Sequence, residues 1–389
     1  MTNFDFYNTR TIAVERGGAA RLGERLEGLG YRRVLLVTDP GVIAANLLPA
    51  LQTSLHQQGI AVTVFSEVVA DPPESVIDAA VQSAIAEDVD CVIGLGGGSS
   101  MDAAKLAALL AGSRQPLAQA FGVNNARGPR LPLILIPTTA GTGSEVTPIS
   151  IVTTGESEKK GVVSQLLMPD QALLDATLTL GLPAHVTAAT GIDAMVHAIE
   201  AYTSKRLKNP LSDCLAREAL HLLSGSLLRA CRQGEDIEAR ESMLLGACLA
   251  GMAFANAPVA AVHALAYPIG ARFHVPHGLS NALMLAPVIA FNRPYAEREY
   301  AELFDVVQGQ TGGAGSQFDS ARGKCDAFGV YLSSLSSELG LPTRLRDVGI
   351  TAEDVPELAA DAMKQTRLLI NNPRDLTLAD AQTLYLEAL

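Results

Sequence analysis

The sequence lacks the marks of several large protein classes. It has no run dense in Lys and Arg, and its 29 Lys and Arg stand against 41 Asp and Glu, a net charge of −12. Such a field repels phosphate backbones and anionic lipid headgroups, which argues against nucleic acid and membrane partners. It has no CxxC pair. Its five cysteines, at 91, 214, 231, 248 and 325, are odd in number and cannot all pair within the chain, which fits a reducing cytoplasm. The opening MTNFDFYNTR lacks the basic-then-apolar order of an export signal and points to the same compartment. There is no GxxxxGK[ST] loop to hold a triphosphate with magnesium, so kinase and ATPase chemistry loses most of its support. No internal repeat of about 20 to 50 residues is visible, which excludes a solenoid or propeller.

One uncharged stretch needs a membrane check. Residues 243–270 contain no Asp, Glu, Lys or Arg, and about 20 apolar residues suffice to span a bilayer. Asn256, Pro258 and His263 interrupt the stretch, and alanine is its commonest residue, so it reads as buried helical core.

What the chain does have is apolar material. With 389 residues, 48% hydrophobic and 18% charged, it buries enough surface to fold, and at roughly 100–200 residues per domain it divides into two or three domains. Short β-branched runs alternate with amphipathic stretches through the first half. RVLLVT (33–38) precedes a helical region reaching His56. AVTVF (61–65) precedes a helix from about Pro73 to Ala86. CVIGL (91–95) precedes a helix opening near Ser99, and LPLILI (131–136) ends at Pro137. Repeated βα units predict a largely parallel sheet covered on both faces. Between Pro148 and Met168, two strand-like runs flank the polar segment 155–160, which reads as a hairpin turn. After Pro183 the texture becomes Ala/Leu-rich with helical spacing, broken at Asn209-Pro210, at Asn292-Arg293-Pro294 and at Gly312-Gly313. The expected division is an α/β dinucleotide-binding domain over residues 1–183 and an all-helical domain over 184–389.

GLGGGSSMDAAK (94–105) lies where a buried strand gives way to a helix. Glycines let the backbone approach a ligand, and the exposed N–H groups of a helix start, at the positive end of its dipole, bind phosphate. A structural strand-to-helix turn is the alternative, but three consecutive glycines exceed what it needs. Gly96, Gly97, Gly98, Ser99 and Asp102 are therefore candidate cofactor contacts, although Asp102 also suits simple stabilisation of the first helical turn. The segment departs from the usual dinucleotide fingerprint, because Ser99 follows where a third glycine or alanine is expected. Asp39, at the end of the first strong strand, is placed to accept hydrogen bonds from ribose hydroxyls and to repel a 2′-phosphate, favouring NAD over NADP; it also fits an ordinary turn. PTTAGTGSEVTP (137–148) follows another strand end and offers hydroxyls and flexible glycines to a diphosphate or nicotinamide, although loops of Ser, Thr and Gly are often mere connections.

In GIDAMVH (191–197), Asp193 and His197 stand at i and i+4 and project from one helix face. Such a pair is common without a metal. Yet five of the seven histidines lie between 197 and 277, and His263 sits inside the uncharged stretch, where an imidazole needs a hydrogen bond or a metal. His263 and His277 would complete a set of three imidazoles and one carboxylate, suited to Fe²⁺ or Zn²⁺.

The segments 94–105, 137–148, TAATGIDA (187–194), HALA (263–266) and HG (277–278), in this order, resemble the iron-containing (group III) alcohol dehydrogenases, over nearly the whole chain from Phe6. The resemblance implies a dehydroquinate-synthase-like fold, an NAD-binding α/β domain, a helical metal-binding domain, an active-site cleft and a homodimer. It implies metal ligation by Asp193, His197, His263 and His277. The family's cofactor contacts fall on Asp39, Gly96 to Ser99, Thr138, Thr139, Thr142, Thr147 and Lys160. Asp71 stands where relatives often carry Asn. Tyr267 stands where many relatives carry a histidine, so proton relay would fall to Tyr267, His274 or water, unless Tyr267 only packs against the pocket.

The implied reaction is hydride transfer between a small primary alcohol, or its aldehyde, and NAD, with the metal as Lewis acid. Competing readings are a polyol or hydroxyacid dehydrogenase, a dehydroquinate-synthase-like lyase, and a non-catalytic NAD-binding module.

Overall fold

The computed structural model describes residues 3–155, 158–311 and 320–389. The chain falls into two compact units, one spanning Tyr7–Gly181 and the other comprising Leu182–Leu389 together with the described residues before Tyr7, which the expected division had placed in the first domain.

The first unit contains strands β1 (Thr11–Val14), β2 (Arg33–Val37), β3 (Ala61–Phe65), β4 (Cys91–Gly96), β5 (Gly122–Val123), β6 (Leu133–Pro137), β7 (Ile149–Thr154), β8 (Glu158–Val163) and β9 (Gln171–Leu174). Six of them form an all-parallel sheet in the order β1-β9-β6-β4-β2-β3. Alternate residues of the central strands point to opposite faces, and both faces are buried, which is why these strands read as continuous apolar runs. Val34, Leu36, Ile93, Leu95, Ile134 and Ile136 pack with Leu51 and Leu55 on one side. Leu35, Val37, Val92, Leu133 and Leu135 pack with Ile77 and Leu106 on the other. Truncating such a residue, Leu135→Ala for example, costs about 2–5 kcal/mol.

The chain leaves β2 for β3 on one side and returns to β4 on the other. The carboxyl ends of β2 and β4 therefore flank a topological switch point, where open parallel sheets bind ligands.

A smaller sheet, in the order β5-β8-β7, holds the expected hairpin. β7 and β8 pair antiparallel from Ile149↔Val163 to Thr154↔Glu158. Glu158 to Lys160 belong to the strand rather than to the turn, because the ladder continues to Thr154. Glu156 and Ser157 lie outside the described residues.

The second unit has no strand among its described residues. Its principal helices are Ala184–Thr203, Pro210–Arg232, Ile237–Asn256, Ala261–Phe273, His277–Thr311 and Ala321–Glu338. Asn209 starts the second of these: its side chain accepts from Leu211 N at 3.1 Å and Ser212 N at 3.0 Å, and Pro210 occupies the first helical position. That cap contributes about 0.5–2 kcal/mol.

The break expected at Asn292-Arg293-Pro294 lies elsewhere. Those residues sit within the helix, and the backbone departs from helical geometry at Ala296, with φ −133° and ψ 24°. Asn292 is buried and exchanges amide hydrogen bonds with Asn372 at 2.9 and 2.7 Å, which holds this segment in place against its turn-forming composition. Gly312 and Gly313 lie outside the described residues. The uncharged stretch 243–270 is divided between two helices bent by 108° at their break, and no single described helix is long and apolar enough to cross a membrane.

Candidate functional site

The 20-residue helix Ala184–Thr203 presents Asp193 and His197 from one face. His263 lies in the first turn of Ala261–Phe273, and His277 opens His277–Thr311. One donor atom from each of the four lies within 4.8 Å of every other. Asp193 Oδ1 is 3.6 Å from His277 Nε2 and 3.9 Å from His263 Nε2. The His197 and His263 rings stack with centroids 4.7 Å apart, and Phe254 stacks on His197 at 4.4 Å. Asp193, His197 and His263 are buried, whereas the His277 side chain is 41% exposed, so the group opens on that side.

Burial, the largest influence, pushes the Asp193 carboxyl up. The three imidazoles and the Asn281 amide together outweigh it and hold the group below the usual carboxylate range.

Asn281 gives a test of whether these residues suit a cation. Its Nδ2 donates to Asp193 Oδ1 at 2.6 Å and lies 3.3 Å from Nε2 of both His263 and His277, so three atoms of the cluster converge on one amide nitrogen. The buried Oδ1 of the same amide has no hydrogen-bond partner. The donor set itself, one carboxylate oxygen and three imidazole nitrogens converging within 4.8 Å, is what fits a divalent ion.

In the first unit, the helix Gly98–Ser113 begins directly beyond β4. Gly96 has φ +152°, and a Cβ there would stand 2.7 Å from Ser100 Cβ and 2.9 Å from Asp39 Oδ2, so only glycine fits this turn. Gly97 caps the helix with extended backbone. Asp39 serves two elements: Oδ1 accepts from Val42 N at 3.0 Å, capping the short helix Pro40–Ala44, and Oδ2 accepts from Ser100 Oγ at 2.8 Å. Thr139 lies beside Gly97 and Thr142 beside Gly98. Thr138 joins the same turn through its backbone N–H, which donates to Gly96 O at 3.0 Å.

Asp102 turns inward. It accepts from Ser144 Oγ at 2.6 Å and Ile151 N at 2.9 Å, and lies 3.6 Å from Lys105 Nζ. The fully buried Lys105 donates to Ser144 Oγ, Thr147 Oγ1 and Ile149 O at 2.7, 3.1 and 2.7 Å. Burial is the largest influence on both charges, raising the Asp102 pKa and lowering that of Lys105 against their mutual attraction. Asp102 and Thr147 thus fasten the 137–148 loop to the glycine-rich helix. Asp71 donates its backbone N–H to Ser99 Oγ at 3.3 Å, accepts from Thr153 Oγ1 at 2.9 Å, and forms an ion pair with Lys159. Lys160 pairs with Glu158 at 3.2 Å and is half-exposed.

Comparison with known proteins agrees with this geometry. Residues 9–176 match the model of the iron-containing alcohol dehydrogenases, and residues 187–389 match the Fe-containing alcohol dehydrogenase family, C-terminal. The chain belongs to the iron-containing alcohol dehydrogenase family. It is an alcohol and aldehyde oxidoreductase, and NAD and iron are the cofactors of that family. It is 40% identical over 372 residues to a long-chain-alcohol dehydrogenase of Geobacillus thermodenitrificans, covering 95% of this chain and 92% of the relative. A crystal structure of a 1,3-propanediol oxidoreductase superposes with a TM-score of 0.95 at 31% identity, covering 100% of both chains. A sulfoacetaldehyde reductase from Bifidobacterium kashiwanohense in complex with NAD⁺ gives 0.86 at 28% identity, covering 100% of this chain and 99% of the other.

Within this iron-containing dehydrogenase, the structure brings together all four expected ligands. Tyr267 stands beside them, its ring 5.7 Å from His277 and 6.5 Å from His263. His274 does not join the cluster; it is exposed, ends the helix Ala261–Phe273 and has φ +54°. Sequence reasoning missed Asn281 and Glu200. Both carried a signal: Asn281 follows His277 by four residues, and Glu200 follows His197 by three, each on its ligand's helix face. Glu200 is buried, and His263 Nδ1 lies 2.6 Å from its Oε2.

Proposed function

We propose that this enzyme moves hydride between the carbinol carbon of small primary alcohols, or the carbonyl carbon of their aldehydes, and C4 of NAD. Asp193, His197, His263 and His277 would hold Fe²⁺, with Zn²⁺ an alternative occupant. The ion, when bound, supplies Lewis acidity toward the alcohol oxygen. NAD binding is assigned to residues 1–183, and metal binding and catalysis to 184–389.

The chain's own groups divide the work. Gly96, Gly97, Gly98 and Ser99, with the helix start beyond them, receive the diphosphate on backbone N–H groups. Asp39 accepts the adenosine ribose hydroxyls and repels a 2′-phosphate. Thr138, Thr139 and Thr142 offer hydroxyls from the neighbouring loop, which Asp102, Lys105 and Thr147 hold in position. Lys160 adds positive charge toward the cofactor. Tyr267 lines the alcohol pocket, and the alcohol proton is relayed to solvent by Tyr267, His274 or water. The enzyme works as a homodimer in a reducing cytoplasm; the five free cysteines support the compartment, and the family resemblance supports the dimer.

The convergence of the four donor atoms carries this reading. Its test follows NADH formation by Fe²⁺-loaded protein across short alcohols, diols and hydroxyacids, beside chelator-treated and Zn²⁺-loaded samples. Metal-dependent NADH formation on primary alcohols is the expected result. NAD binding without turnover on any of them would count for a non-catalytic module, and activity indifferent to chelation would remove the metal from the mechanism.

A further inference from the structure

We infer that Glu200 is the positioning residue of the metal centre: it selects the tautomer of His263 and anchors the start of the helix that carries it. The inference rests on the metal role proposed for the four-residue cluster. Glu200 is 4% exposed and lies on the helix Ala184–Thr203, one turn beyond His197. An ionised carboxylate in such a place is costly unless donors surround it. Three do. Glu200 Oε1 accepts from Val262 N at 2.7 Å, and Oε2 accepts from Ala260 N at 3.0 Å and lies 2.6 Å from His263 Nδ1.

Two of these donors are backbone N–H groups at the start of Ala261–Phe273, a helix with no side-chain cap of its own. The first N–H groups of a helix have no intrahelical partner, and the positive end of its dipole favours an anion. Glu200 therefore caps the His263 helix from a neighbouring helix. The third contact fixes the imidazole. A carboxylate accepts only, so Nδ1 carries the proton and Nε2 is left with its lone pair. Nε2 is the nitrogen facing Asp193 at 3.9 Å and Asn281 Nδ2 at 3.3 Å. The same carboxylate thus sets both the place of His263 and which nitrogen offers electrons to the cluster. Such outer partners change metal affinity by about 10–100-fold when removed.

Two readouts test the assignment. The first is ¹⁵N NMR of histidine-labelled, metal-free protein, wild type against Glu200→Gln, reporting the His263 tautomer. The second is Zn²⁺ affinity of the same proteins by chelator competition, with NAD affinity by calorimetry as a control. The expected result is an Nδ1–H tautomer in wild type that is lost or mixed in Glu200→Gln, Zn²⁺ binding weaker by about 10–100-fold, and unchanged NAD affinity. An unchanged tautomer together with unchanged Zn²⁺ affinity would overturn the assignment. If wild type binds no Zn²⁺ but the tautomer still shifts in Glu200→Gln, the metal reading fails and the positioning of His263 by Glu200 stands. Should Glu200→Gln not fold, Glu200→Asp keeps the charge on a shorter arm, and the same two outcomes decide.

Discussion

Gly278 lies against the backbone of Ala189: a Cβ at position 278 would come within 2.3 Å of the Ala189 carbonyl oxygen and 3.3 Å of Asp193 Cβ. Only hydrogen fits there, and that close approach lets His277, one residue earlier, bring Nε2 to 3.6 Å from Asp193 Oδ1. Gly278→Ala is expected to push the start of His277–Thr311 away from Ala189, costing about 1–3 kcal/mol of stability and weakening Zn²⁺ binding. Urea titration and chelator competition on the variant check both effects. Unchanged Zn²⁺ affinity would separate the packing from the metal centre.

Asp39 has a structural duty beside its proposed reading of ribose, since it caps the helix Pro40–Ala44 and receives the Ser100 hydroxyl. Asp39→Gly is therefore expected to do two things at once. The ratio of NADP to NAD use, from initial rates, rises as the charge facing a 2′-phosphate disappears. Stability falls by no more than about 2 kcal/mol, because glycine is itself a tolerable cap. No gain in relative NADP use would argue against ribose readout.

Lys105 brings a positive charge into the Asp102, Ser144 and Thr147 group, donating to both hydroxyls. Lys105→Met keeps the length of the side chain and removes the charge. It leaves the largely buried Asp102, its side chain 16% exposed, without its counterion, a loss of at most about 3–5 kcal/mol, and loosens the 137–148 loop. Equilibrium unfolding reads the first effect, and calorimetric NAD binding, expected to weaken, reads the second.

Arg130 joins the start of β6 to the segment before β9: it donates to Asp170 Oδ2 at 2.6 Å, Leu166 O at 2.7 Å and Met168 O at 2.8 Å. Burial is the largest influence on Asp170 and pushes its carboxyl up, but Arg130 and the Leu133 N–H outweigh it, leaving the pKa below the ordinary carboxylate value. A carboxylate with a depressed folded-state pKa stabilises the protein above its unfolded value, about 3.9. That stabilisation is lost as pH falls through the folded-state value. Asp170→Asn should lower the urea midpoint relative to wild type at pH 6, and the difference should shrink toward pH 3. A constant difference across that range would mean that the charge of Asp170 is not what matters.

The sequence discloses those parts of the molecule whose cause is local. CVIGL (91–95) reads as a strand because both of its faces are buried, and Asp193 with His197 reads as a ligand pair because helical spacing alone aligns them. β1 and β9 are not legible in the same way. β1 is a four-residue, half-exposed edge strand, and Gln171–Leu174 has no β-branched residue to separate it from a helix fragment. Asn292-Arg293-Pro294 has turn composition, yet Asn372, 80 residues away, determines the setting of Asn292. Glu200 gains its meaning from Ala260, Val262 and His263, more than 59 positions downstream. Asn281 gains its meaning from Asp193, 88 positions upstream. Periodicity finds elements and local pairs, whereas the partners that orient a ligand are tertiary.

The most direct measurement is an anomalous difference map from crystals of Fe²⁺-loaded protein, collected at the iron edge, with His263→Ala as the paired sample. One iron peak among Asp193, His197, His263 and His277 in wild type, reduced or absent in His263→Ala, is the result expected of this metal centre. A wild-type peak elsewhere, or an equally occupied peak in both proteins, would contradict the assignment of these four residues as the ligands on which alcohol oxidation depends.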